Sequence, residues 1–242
     1  MSILVISDIH ANLAALQAVL QEAGKVDAVW CLGDLIGYGP NPNECIELIR
    51  EQPELVCLLG NHDAACIGEL NVATFNREAR MAVEWTQSVL TKENNQFLRE
   101  RPKIVVIDRV TLAHGSPREP VYEYILDIRS AAENFDFFET DFCFIGHSHL
   151  PLLFTKKSDE AKVSLTFPQQ NQIIQLKPRS IVNPGSVGQP RDRDRRAAFA
   201  IFDPADTTWV HRRAEYDIQA TQEDMRTANL PNRHIERLNG GW

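Results

Sequence analysis

The chain has no Cys-x-x-Cys pair, no apolar run of membrane-spanning length, no internal repeat or low-complexity tract, and no surplus of basic residues. Each absence excludes something. Cys31, Cys45, Cys57, Cys66 and Cys143 are spaced for neither a thiolate metal knuckle nor a disulfide framework. Cys31, Cys57 and Cys143 sit inside apolar runs and read as buried thiols of a reducing compartment. No basic, apolar leader precedes Ile3-Leu4-Val5-Ile6, so a cytoplasmic protein without a membrane partner is expected. With 33 acidic against 25 basic residues the formal charge is -8, which disfavours nucleic acid polymers and leaves a small substrate as the expectation. No linker interrupts the 242 residues, and one domain over 1–242 is expected.

Histidine is also scarce, and its placement is informative. Five of the seven fall in short polar islands: Asp8-Ile9-His10, Gly33-Asp34, Gly60-Asn61-His62-Asp63, His114, and Gly146-His147-Ser148-His149. Each island follows an apolar run: 3–6, 28–32, 55–59, 110–113 and 142–145. Imidazole, carboxylate and amide ligands at successive strand ends point to one rim and one metal site. The i, i+2 pairs Asp8/His10 and His147/His149 would project to one side of an extended backbone, so each pair can serve one cluster.

The first half alternates strand and helix. Leu13, Leu16, Leu20 and Ala23 recur at helical spacing, with Asn12 as a cap and Gly24 as a stop. A second helix is expected around 44–50 and two more over 75–100, with Ala79, Ala82, Val83 and Val89 on one face of the first. The second half is rich in strands, at 104–107, 110–113, 142–145, 152–155, 163–167, 172–176, 180–183, 197–202 and 208–212. Two facing mixed β-sheets flanked by helices follow, an α/β fold with a four-layered α/β/β/α sandwich. Residues 156–174 read as an insertion hairpin away from the chemistry, 191–196 as a solvated turn, and the tail from 216 as a short helical segment.

The islands, in their order, resemble the motif series D-x-H, G-D, G-N-H-[DE], H and G-H-x-H of the calcineurin-like metallophosphoesterases. The loop Asn183-Pro184-Gly185-Ser186-Val187-Gly188 extends the likeness to the small bacterial phosphodiesterases of that superfamily. The resemblance implies Asp8, His10 and His149 on one metal, Asn61, His114 and His147 on a second, and Asp34 bridging. Ligands without thiolate favour two divalent transition ions, manganese first among Mn, Fe, Co, Ni and Zn. Two such ions against two carboxylates leave the pocket cationic, suited to phosphate, with a bridging hydroxide as the implied nucleophile.

His62 is the motif histidine left without a metal, and its implied role is general acid to the leaving oxygen. After Asp34 the chain reads Leu35-Ile36-Gly37-Tyr38-Gly39, where the phosphoprotein phosphatase branch carries an Asp and an Arg at the places of Gly37 and Tyr38. That demotes a phosphoprotein substrate and leaves open what orients His62. Asn12 (phosphate contact or helix cap), Tyr38 (stacking on a substrate ring) and Arg191 (phosphate fork) are the candidate substrate contacts. His211 and His234 lie outside every motif and read as structural or exposed. The expected activity is hydrolysis of small phosphodiesters or nucleotide-like esters. A phosphomonoesterase, a dinucleoside polyphosphate hydrolase and a non-catalytic scaffold of the same fold stand as alternatives.

Overall fold

The computed structural model describes residues 1–157 and 162–242. In chain order the elements are β1 (Ile3–Ile6), α1 (Leu13–Ala23), β2 (Ala28–Cys31), α2 (Pro42–Arg50), β3 (Val56–Cys57), α3 (Asn61–Cys66), α4 (Arg77–Val89), α5 (Lys92–Arg99), β4 (Ile104–Ile107), β5 (Val110–Ala113) and α6 (Ile128–Asn134). There follow β6 (Phe142–Phe144), β7 (Pro151–Lys156), β8 (Val163–Thr166), β9 (Ile173–Gln175), β10 (Ser180–Pro184), β11 (Ala197–Asp203), β12 (Thr208–Ala214), α7 (Ile218–Thr227) and α8 (Asn232–Gly240). Local chemistry sets the helix starts. Asn12, Asn76, Thr91, Asp127 and Asp217 each accept a backbone N–H in the first turn of the helix they precede.

The strands form two mixed six-stranded sheets, ordered β3-β2-β1-β11-β12-β9 and β4-β5-β6-β10-β7-β8. Strands β1, β2 and β3 run parallel in the first, and β5, β6 and β10 in the second. Alternation along β1 separates two cores: Ile3 and Val5 face the second sheet with Trp30, Phe144, Phe202 and Trp209, whereas Leu4 and Ile6 face α1 and α2. The outer face of the second sheet packs on α6 through Ala131, beside Phe135 and Phe138. The helix–sheet–sheet–helix order read from the periodicities is thus observed, with a thinner helical layer on the second sheet.

Several local expectations are corrected. The strand at 55–59 is paired with β2 only at Val56–Cys57: Leu58 N–H still donates to Cys31 O of β2, and Leu59 N–H turns away to the Pro102 carbonyl. The 156–174 segment is no self-contained hairpin: β8 extends β7 in one sheet, while β9 extends β12 in the other. Its part at 158–161 lies outside the described residues. Val89 is 38% exposed at the end of α4, whereas Ala79, Ala82 and Val83 are buried as expected. The tail forms two helices, α7 and α8, packed with Tyr38. Far from a solvated turn, 191–196 is tied down by ion pairs of Asp192 with Arg213 and of Asp194 with Arg196.

Candidate metal centre

Six parallel strand ends converge on one rim. Strand β1 leads into Asp8 and His10, β2 into Asp34, β3 into Asn61 and His62, β5 into His114, β6 into His147 and His149, and β10 into the 183–189 loop. The two sheets meet there, since the His147 N–H donates to Asp8 Oδ2 at 3.1 Å. The loop after β10 braces the rim: Ser186 Oγ donates to the Asp8 carbonyl at 2.8 Å, and Asn183 Nδ2 to the Gly146 carbonyl at 2.6 Å.

The paired ligands share a side, though the backbone that brings them there is not extended. Asp8, His10, Asp34, His147 and His149 have φ of 54°, 49°, 54°, 64° and 61°, all left-handed. For a residue with a Cβ this costs about 1–2 kcal/mol each, a strain typical of functional sites and held by the surrounding structure. Hydrogen bonds from Asp8 N to Gly33 O and from His10 N to Asp34 O supply part of that hold. Gly60 is required where Asn61 enters, because a Cβ there would collide with the Asp34 carboxylate.

Three overlapping ligand groups result. Asp8, His10 and His149 form one, Asp34, His114 and His147 another, and His10, Asp34 and His62 a third between them, with ligand atoms of each within 4.8 Å of one another. In the first, His149 Nε2 lies 3.4 Å from Asp8 Oδ1, and His10 Nε2 lies 3.1 Å from His149 Nε2. Asn61 Oδ1 joins the second at 3.1 Å from His114 Nε2. Asp34 Oδ2 stands between, 3.7 Å from His10 Nε2 and 3.4 Å from His114 Nε2.

The donor set fits metal cations on a test independent of motif. All four histidines commit one ring nitrogen to a backbone carbonyl: His10 Nδ1–H donates to Ile36 O at 3.3 Å, His114 Nδ1–H to Leu32 O at 2.9 Å, His149 Nδ1–H to Gln189 O at 2.5 Å, and His147 Nε2–H to Tyr122 O at 3.2 Å. In the neutral ring the other nitrogen is then a bare acceptor turned into the cluster, the arrangement that orients metal-ligating imidazoles. His10 Nε2 and His149 Nε2 thus face each other as two lone pairs, which a shared cation reconciles. Asp8 Oδ1, buried beside them, has no hydrogen-bond partner.

The buried carboxylates make the same demand for positive charge. Burial pushes Asp8 up to about 7. Burial acts on Asp34 in that sense too, but His114 beside it prevails and holds the carboxyl well below its usual range. Against its own burial, Asp34 raises His114 to about 9. Asp34 and His114 would hold a metal ion in competition with that proton, so its occupancy would weaken as pH falls.

His62 lies beside the first group, its ring 4.9 Å from that of His10. Tyr38 at 4.3 Å and Phe75 at 5.0 Å enclose it. Its Nδ1 has no hydrogen-bond partner. Packing orients this ring: a Cβ at Gly37, whose φ is +91°, would come within 2.7 Å of His62 Nδ1. Burial pushes His62 down to about 4. Asp63 does not bind His62; its carboxylate accepts the N–H groups of Ile36 and Gly60 at 3.1 and 3.0 Å and ties the Asp34 and Asn61 loops together.

Of the softer candidates, Asn12 is placed as a cap. Its Oδ1 accepts from Ala15 N at 3.1 Å and its Nδ2 donates to Gly188 O at 3.0 Å, and the residue is 2% exposed. Tyr38 is wedged among His10, His62 and His234 at 4.3–4.6 Å. Arg191 is brought to the cluster, where its charge acts on Asp8, His10, His62 and His149. A cleft of about 500 Å³ opens over His62, Asn61 and His147, walled by Tyr38, Phe75, Tyr122 and Tyr124. The sequence reading missed Tyr122, Tyr124, Phe75, Arg237 and His234 at the site, since no motif or periodicity marks them. His211 is buried in β12, away from the cluster.

The cleft wall carrying Tyr122 and Tyr124 is held by Glu123, which accepts from Ser116 Oγ at 2.5 Å, Asn134 Nδ2 at 3.0 Å and Arg118 Nε at 3.2 Å. These bonds, that of Arg118 foremost, hold the Glu123 carboxyl down at about 2. A depressed pKa contributes stability above the unfolded carboxylate range, lost as pH falls toward the folded value. Glu123→Gln is therefore expected to lower stability by about 1 kcal/mol at pH 7 and by less at pH 3, as read from urea midpoints at both pH values.

Residues 1–207 match the calcineurin-like phosphoesterase superfamily domain. The chain belongs to that superfamily, a family of metal-dependent phosphoester hydrolases. It is 38% identical over 246 residues to an uncharacterized protein of Methanocaldococcus jannaschii, spanning 98% of this chain and 96% of that protein. Among solved structures, a metallophosphoesterase from Sphaerobacter thermophilus superposes with a TM-score of 0.91 at 46% identity, over 100% of this chain and 99% of the other. Over 121 residues the chain is 28% identical to a symmetrical bis(5'-nucleosyl)-tetraphosphatase of Baumannia cicadellinicola, spanning 48% of this chain and 42% of that protein.

Proposed function

We propose that the chain, as one domain over 1–242, is a dinuclear phosphoesterase that hydrolyses small phosphodiesters. The observation that carries this reading is the pair of ligand groups with Asp34 Oδ2 between them, 3.7 Å from His10 Nε2 and 3.4 Å from His114 Nε2, each lined by imidazole nitrogens whose opposite nitrogen donates to a carbonyl. Asp8, His10, His149 and Asp34 would hold one ion, and Asp34, Asn61, His114 and His147 the other, manganese being the first choice. Bound there, the ions would polarise the phosphoryl oxygens and ionise a water at neutral pH. The protein's own groups do the rest: the aromatic cleft receives the ester substituents, and His62, caged by Tyr38 and Phe75, donates a proton to the leaving oxygen. Burial pushes His62 down to about 4 even with Asp34 raising it, so it is the anionic substrate that brings its proton within range. Retention of all seven ligands favours turnover over a scaffold role.

A second reading, hydrolysis of dinucleoside polyphosphates, gains from Arg191 and Arg237 beside the cleft. They supply the guanidinium charge that the Gly37–Tyr38 loop lacks. A panel on the manganese-loaded protein at one pH tests the diesterase reading. Higher kcat/KM is expected on bis(4-nitrophenyl) phosphate than on 4-nitrophenyl phosphate or a phosphopeptide. A phosphopeptide preference overturns the proposal, and a monoester preference replaces the diesterase with a monoesterase.

A further inference from the structure

Next to the ligand groups, two arginines converge on one amide. Gln189, 2% exposed, accepts from Arg191 Nη2 and from Arg237 Nη1 through the same Oε1, each at 3.1 Å. The Nε of each arginine is buried and has no hydrogen-bond partner. Neither guanidinium pairs with a carboxylate among the described residues, whereas Arg213 and Arg196 nearby are neutralised by Asp192 and Asp194. Arg191 is placed at the metal site itself, since its backbone N–H donates to the His149 carbonyl at 3.4 Å and its side chain reaches Tyr124, which stacks on His147 at 3.7 Å. Arg237 comes from α8, beyond the residues that match the superfamily.

Two like charges on one neutral oxygen, partly withdrawn from water, are costly unless an anion joins them. Guanidinium edges with free Nε–H groups match the oxygens of a phosphate in paired hydrogen bonds. The ligand groups already provide for the phosphate that reacts, so the arginines remain for another. We propose that Arg191 and Arg237, held by Gln189, form a second phosphate subsite, and that the substrate carries a further phosphate adjoining the one that is hydrolysed. This rests on the phosphoesterase reading of the ligand groups and narrows it to nucleotide-like substrates with at least two linked phosphates.

Calorimetry on the full-length, manganese-loaded protein tests the subsite with AMP and α,β-methylene-ADP, which differ by one phosphonate-linked phosphate. The wild type is expected to bind α,β-methylene-ADP about tenfold more tightly than AMP. Arg237→Gln and Arg191→Gln, made separately and checked for an unchanged melting profile, should each bring that ratio to within about twofold. Arg237→Lys, which keeps charge but loses the fork, should fall between. If AMP binds and the wild-type ratio is near one, or if both glutamine variants keep the wild-type ratio, the subsite is refuted while the phosphoesterase reading stands. If neither nucleotide binds the loaded protein, the subsite is refuted, and the kcat/KM panel decides the phosphoesterase reading separately.

Discussion

Replacing Asp34 with Asn is expected to empty both metal positions together, from about two ions per chain to fewer than one, and to lower kcat by at least about 10³. The size follows from geometry. Asp34 Oδ2 lies 3.7 Å from His10 Nε2 and 3.4 Å from His114 Nε2, so it is the one oxygen common to both groups. Asn is nearly isosteric but neutral, and the remaining carboxylate, Asp8, belongs to one group alone. The other Asp34 oxygen accepts the His62 N–H at 2.8 Å, a bond the Asn oxygen can keep, so the fold should survive. His149→Ala should behave differently, emptying chiefly the Asp8–His10 position. Elemental analysis of manganese-loaded, desalted protein checks both variants. Wild-type protein holding a single ion, or a loss in Asp34→Asn confined to one ion, would contradict a shared oxygen.

The second large effect belongs to His62. His62→Gln is expected to keep both ions, because Asp8, His10 and His149 on one side and Asp34, His114 and His147 on the other form complete groups without it, and to lower kcat/KM on an alkyl phosphodiester by about 10² to 10⁴. On bis(4-nitrophenyl) phosphate, whose nitrophenolate leaves without a proton, the loss should be at least about tenfold smaller. An equal loss on both esters would mean that His62 positions the substrate rather than protonating the leaving group. The cage of Gly37, Tyr38 and Phe75 takes the orienting role that an acidic residue has in the phosphoprotein phosphatase branch. It holds the ring by contact, which accounts for a catalytic candidate whose Nδ1 has no partner.

The residues that converge at the rim were legible along the chain because strand periodicity and scarce polar types coincide there. Near-continuous apolar runs specify β1, β2, β5 and β6, and a His, Asp or Asn just past such a run sits at the strand end. The two sheets followed from the number of strands, and the structure then divides β1 between two cores, Ile3 and Val5 facing one and Leu4 and Ile6 the other. The backbone at the ligands was not legible. Left-handed turns at Asp8, His10, Asp34, His147 and His149 are imposed by hydrogen bonds between loops far apart in sequence, such as Asp8 N to Gly33 O. Nor was the fate of 163–175, where two short strands join opposite sheets according to which edge is free. Tyr122, Tyr124 and Arg237 belong to no pattern, and only the packing of the loop before α6 and of α8 brings them to the cleft. Sequence alone thus determined which groups could bind metal and that they share a rim, because ligand type and strand spacing are local properties. The tertiary structure decided which charges stand beside them, because an arginine's place depends on contacts among loops and helices that no local spacing records.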